Sequence, residues 1–151
     1  MTTVSAVGRP EALQSIEDEM WVVIRRVKRV IGERARAVHP ELQRASYVVL
    51  TWLAEHGPVR ASAVAEAFEV DKGSLSRQLQ HLQELGLVDR EPDPEDGRAA
   101  LLSISEEAVR RLAAVAAERR VLLDRRLADW TAEELLSLAA QLRRYNDSLG
   151  S

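Results

Sequence analysis

The chain has 151 residues, 46% hydrophobic and 30% charged, with a formal net charge of −3, enough for about one domain with a real core. Cysteine is absent, which excludes disulfides, thiolate nucleophiles and cysteine-based zinc sites together. No run approaches the roughly 18 consecutive apolar residues of a membrane span, and residues 1–9 lack the apolar core of a secretion signal, so a cytoplasmic address without a membrane partner is expected.

Residues 1–9 are expected to be disordered, and 10–147 to form a single domain. Pro10-Glu11 suits the first turn of a helix. Leu13, Ile16, Met20, Val23, Val27 and Val30 then recur at steps of three and four until about Val38, where His39-Pro40-Glu41 breaks the pattern. At 1.5 Å per residue such a helix runs to roughly 40 Å, longer than a small domain covers, so a second chain is expected to lie against it. A second helix spans about 41–56, carrying Leu42, Tyr47, Val49, Leu50, Trp52 and Leu53, and Gly57-Pro58 ends it. Residues 61–68 are a short alanine-rich helix, and Glu69-Val70 is a tight turn. Residues 71–86 form a helix with leucines at 75, 79, 82 and 85, whose other face is short, polar and hydrogen-bonding.

Two apolar runs, Leu87-Val88 and 101–104, flank a turn rich in Pro, Asp and Gly and closed by Arg98, the pattern of a β-hairpin. Ser105 followed by Glu106 and Glu107 is an N-cap with acids in the first turn, opening a helix to about Ala128. Thr131-Ala132-Glu133-Glu134 has capping-box spacing and opens a last helix through Tyr145. Leu112, Val115, Leu122, Leu127, Leu135, Leu138 and Leu142 give these two helices an apolar seam. A polar-faced helix followed by a two-stranded wing reads as a winged helix-turn-helix that binds DNA. The fold class is therefore mainly α with a small β-hairpin wing. The winged lobe is placed at 41–104, between dimerisation helices at 10–40 and 105–147.

That order of elements, with the wing Asp96-Gly97-Arg98-Ala99-Ala100-Leu101-Leu102-Ser103-Ile104-Ser105, resembles the multiple-antibiotic-resistance regulator (MarR) family of bacterial transcription factors over about residues 11–147. The resemblance implies a homodimer whose terminal helices interlock and whose two recognition helices and wings sit on a palindromic double-stranded DNA operator. It also implies repression more often than activation, and release by a small phenolic or lipophilic effector. Mapped by motif, Ser74, Ser76, Arg77 and Gln78 fall on the base-facing part of the recognition helix. Arg98 falls on the wing arginine that enters the minor groove, and Asp96 on the acid that fixes that arginine and the turn. The chain departs from the family pattern at Arg60, where Thr or Ser is frequent, at Ala108, where Gly is common, and in its acidic wing tip, Asp93-Pro94-Glu95-Asp96.

Arg77 and Gln78 offer the bidentate hydrogen bonds that read a purine. Lys72, His81 and Arg90 are candidate phosphate contacts, each set against a plainer reading as a solvated group or, for Arg90, an ion pair with Asp89 or Glu91. Trp21, Tyr47 and Trp52 lie on the two helices that border the family's effector pocket, although aromatics at helical spacing are more often core. Arg25, Arg26, Lys28 and Arg29 would suit a carboxylate ligand, with ion pairing or solvation as the plainer reading. The three histidines have no metal-ligand spacing and no catalytic motif occurs, so neither an enzyme, a metal nor a cofactor is expected. Between residues 58 and 98 five basic residues face nine acidic ones. That balance predicts strong salt sensitivity and keeps one alternative open: a winged-helix module that binds protein without binding DNA.

Overall fold

The computed structural model describes residues 8–150, so most of the segment expected to be disordered lies outside the described residues. Its elements, in chain order, are α1 (Arg9–Val38), α2 (Arg44–His56), β1 (Val59–Arg60), α3 (Ala61–Phe68), α4 (Lys72–Glu84), β2 (Val88–Pro92), β3 (Ala100–Ile104), α5 (Glu106–Arg126) and α6 (Ala132–Leu149). Among the described residues no helix is long and apolar enough to cross a membrane. The chain divides into two compact units, with the division at Ala113 and Ala114 inside α5.

The first unit holds the core. Ala35 and Val38 of α1, Tyr47, Val49, Leu50 and Leu53 of α2, Val64 of α3, and Leu75, Leu79 and Leu82 of α4 are all buried, with Leu87, Val88, Leu102 and Ala108. Burying each of the leucines contributes roughly 1.5–3 kcal/mol relative to exposure. Only the C-terminal third of α1 takes part. Its remaining stripe, Leu13, Ile16, Trp21, Val23, Ile24 and Val27, is exposed. The end of α1 is tied to the start of α5 by Arg111, whose Nη1 donates to the Val38 carbonyl at 2.9 Å while Nε pairs with Glu107 at 2.6 Å. A basic side chain thus satisfies a carbonyl that the helix leaves unpaired.

The second helix begins at Arg44, three residues later than periodicity suggests. The Leu42 N–H bonds to the His39 carbonyl at 3.0 Å, so 39–43 is a hydrogen-bonded turn whose apolar residue, Leu42, still reaches the core. At the other end of α2 the Gly57 N–H bonds to the Leu53 carbonyl at 2.8 Å. A Cβ at Gly57 would stand only 2.8 Å from that oxygen, so the close approach requires glycine.

The hairpin expected from sequence is formed by β2 and β3. A third strand joins it, and the sheet has the order β1-β3-β2, antiparallel throughout. Arg60 stands opposite Leu101, and Val88 through Pro92 pair with Ile104 through Ala100. Gly86, at φ 71°, turns the chain out of α4 into the sheet, a left-handed conformation that glycine adopts without steric cost. Ser105 caps α5 as expected: its Oγ accepts from the Ala108 N–H at 3.1 Å and donates to the Gly86 carbonyl at 2.7 Å.

The second unit is helical. In α6 the capping box is complete, with Thr131 Oγ1 accepting from the Glu134 N–H at 3.2 Å and Glu134 Oε2 accepting from the Thr131 N–H at 2.7 Å. These hydrogen bonds favour ionised Glu134 and hold its carboxyl below the usual range. No residue of α6 is buried, and the helix continues to Leu149, beyond the expected end at Tyr145.

Candidate nucleic-acid interface

Helix α4 starts at Asp71, whose Oδ1 accepts from the Ser74 N–H at 2.9 Å. That bond favours the carboxylate and lowers its pKa. Leu75, Leu79 and Leu82 then face the core. At 100° per residue Arg77 points almost directly away from that leucine stripe. Ser74, Gln78 and His81 lie on the flank beside it, and with Gln43 and Ser46 of the α2 entry they line an open polar groove of about 390 Å³. Arg77 Nη2 donates to Ser74 Oγ at 3.3 Å, and the capping carboxylate of Asp71 attracts the same guanidinium.

The structure therefore brings Ser74, Arg77, Gln78 and His81 together. Ser76, though exposed, falls on the opposite flank of Arg77, and Lys72 projects from the first turn on the Leu79 side. His81, expected as a candidate phosphate contact, also has a partner within the chain: Nε2 lies 3.0 Å from the Glu41 carbonyl, to which it donates. That bond ties the recognition helix to the turn between α1 and α2. Arg90 is exposed on β2, and among the described residues it has no ion pair with Asp89 or Glu91.

At the wing tip the Asp96 Oδ1 accepts from the Arg98 N–H at 3.1 Å, and the Ala99 N–H bonds to the Asp96 carbonyl at 2.9 Å. Asp96 thus fixes the turn and the backbone of Arg98, leaving the guanidinium exposed. The acidity of the tip is smaller than the sequence implies, because Asp93 turns inward. It is only 6% exposed, accepts from the Glu95 N–H at 2.9 Å and pairs with Arg60, whose Nε donates to its Oδ2 at 2.6 Å. The Glu95 amide first, and Arg60 after it, stabilise the carboxylate and lower its pKa, against desolvation. In the sequence Arg60 stands out only as a missing helix cap and Asp93 only as a tip acid. Gln43 and Ser46 carried no signal at all.

The three aromatics differ in setting. Trp21 is 60% exposed on α1, whereas Tyr47 is buried. Trp52 stacks on His56 at 4.3 Å between ring centroids and meets the edge of Phe68 at 5.9 Å. A cavity of about 390 Å³ between α1 and α2 is lined instead by Lys28, Ile31, Arg44, Ala45 and Val48. Of the basic run on α1, Arg29 makes an exposed pair with Glu33 at 3.8 Å.

A helix-turn-helix with a polar reading helix, a three-stranded wing and an arginine at the wing tip defines a winged helix-turn-helix transcriptional regulator. A family model described as the MarR family matches residues 41–99. The HTH-type transcriptional regulator YxaD of Bacillus subtilis (strain 168) is 33% identical over 134 residues, covering 89% of this chain and 92% of its own. The crystal structure of MarR superposes with a TM-score of 0.65 at 25% identity, over 87% of this chain and 96% of that one. Streptococcus pneumoniae FabT, solved in complex with DNA, gives a TM-score of 0.75 at 14% identity, over 91% and 96% of the two chains, a likeness of fold. The chain belongs to the MarR family, whose members are transcriptional regulators and not enzymes.

Proposed function

We propose that the protein is a homodimeric repressor on a palindromic operator, with α4 of each subunit in a major groove and each wing in a flanking minor groove. The observation that carries this reading is the division of α4: its leucines are buried, and on the opposite side Arg77 is exposed, its Nη2 donating to the neutral Ser74 Oγ. Arg77 and Gln78 read base edges, Ser74 and Ser76 adjust the fit, and Lys72 and Arg90 neutralise phosphates. Arg98 enters the minor groove, where negative potential is concentrated. His81 acts from behind, through Glu41. That FabT, of the same fold, was solved with DNA supports this mode.

Dimerisation is assigned to 10–40 and 105–147, around a reading lobe at 41–104. The exposed stripe on α1 and the exposed leucines of α6 support that assignment. It would place the two reading helices about 34 Å apart, one DNA turn. A small aromatic or lipophilic effector that favoured a different spacing would release the operator by population shift. Among the three aromatics only Trp21 presents a broad exposed ring surface for one, and indole quenching coupled to operator release tests it.

The direct experiment is fluorescence anisotropy on a DNA fragment from the region upstream of its own coding sequence. Arg98→Ala should abolish specific binding while the fold and dimer persist. Unchanged affinity in that variant contradicts the wing contact, and absence of any DNA binding by the wild type at low salt favours the protein-binding alternative.

A further inference from the structure

The position before α3 is the N-cap, and side chains that cap a helix there accept a backbone N–H. Arg60 cannot do so, and α3 has no side-chain cap. Its guanidinium instead crosses the central strand of the sheet. Arg60 on β1 is opposite Leu101 on β3, and Leu101 is opposite Glu91 on β2. Asp93 follows two residues on, so its side chain lies on the same face as that of Glu91. Both Nε and Nη2 of Arg60 reach Asp93 Oδ2.

Asp93 holds the turn through both its backbone and its carboxylate, and Asp96 holds the rest. The Asp93 N–H bonds to the Ala99 carbonyl at 3.0 Å, the Glu95 N–H to Asp93 Oδ1 at 2.9 Å, and the Ala99 and Arg98 N–H groups to Asp96. We propose that Arg60 is the positioning residue of the wing: by fixing Asp93 it sets the height and direction of the tip that presents Arg98 to DNA. It also places a cation among Asp93, Glu95 and Asp96, all of which act on it electrostatically, and so lessens their repulsion of phosphate. This chain has exchanged a helix cap for a wing anchor. The inference rests on the reading of Arg98 as a DNA contact.

Arg60→Thr tests it, because threonine restores an N-cap to α3 while removing the anchor. The variant should remain folded and dimeric, yet bind the upstream fragment about tenfold more weakly. Its hydroxyl-radical footprint should lose protection at the outer flanks and keep the centre. In an Arg98→Ala background, titrated at low salt where residual DNA binding is still measurable, Arg60→Thr should add no further loss, since the two act through one contact. Losses that multiply in the double variant overturn the proposal. So does wild-type affinity in Arg60→Thr when Arg98→Ala alone is impaired, a result that leaves the wing contact itself standing. Wild-type affinity in Arg98→Ala overturns the wing contact and the proposal together.

Discussion

In α4, Leu75, Leu79 and Leu82 are buried and the polar residues face outward; in α6, no residue is buried, and Leu135, Leu136, Leu138 and Leu142 stand exposed, Leu136 by 72%. Both helices begin with a side-chain cap, from Asp71 and from Thr131. The difference lies in what their own subunit does with the apolar stripe. Where the stripe is consumed by the core, the residues left outside are free to serve recognition. Where it is left open, the apolar residues themselves are the surface to which the proposed dimerisation is assigned, since exposed contiguous apolar patches mark association sites.

That contrast can be broken in order of size. Leu82→Ala should lower stability by about 2–5 kcal/mol, the range for a fully buried leucine, measured by thermal or urea unfolding. A cost under about 1 kcal/mol would show that the lobe is not the stability-determining core. Replacing Leu138 and Leu142 together by Glu should leave the lobe folded and weaken self-association at least about 100-fold, or about 2.7 kcal/mol, read by sedimentation equilibrium. An unaltered dimer sinks the assignment of α6 to the interface. Thr131→Ala should cost on the order of 1 kcal/mol and fray the start of α6 in hydrogen exchange, while protection of the α4 amides stays as it was; a loss of equal size in α4 would mean the two helices share one cooperative core.

The smallest effect concerns acid. Asp93 has a folded pKa below its unfolded value, so its contribution to stability is complete above the unfolded value and disappears as pH falls through the folded one. Asp93→Asn should therefore flatten the acid limb of the stability profile in that window and leave neutral pH nearly unchanged in shape. A limb as steep as the wild type's would assign the acid sensitivity to other carboxylates, such as Asp71 or Glu134.

Features written in side-chain to backbone bonds over three residues were legible in the sequence. The cap at Ser105 and the capping box at Thr131 both stand as expected. The leucine stripe of α4 was legible too, because Leu75, Leu79 and Leu82 share helical spacing and are all buried. The strand Val59–Arg60 was not legible, since two residues become a strand only through pairing with Leu101 and Leu102 far along the chain. The same holds for the partners that decide roles. Asp93 is 33 residues from Arg60, and Glu41 is 40 residues from His81. Periodicity carries no information about such pairs. It also placed Leu42 in a helix because Leu42 is core, although a turn delivers it there.

The central claim, that the outward face of α4 reads sequence, is tested most directly by titrating Arg77→Ala against the operator and a panel of its single-base variants. The account predicts a loss of about 1–3 kcal/mol on the operator and a relaxed preference at one base position in each half-site. A uniform loss across every DNA sequence, with base preferences intact, would contradict it.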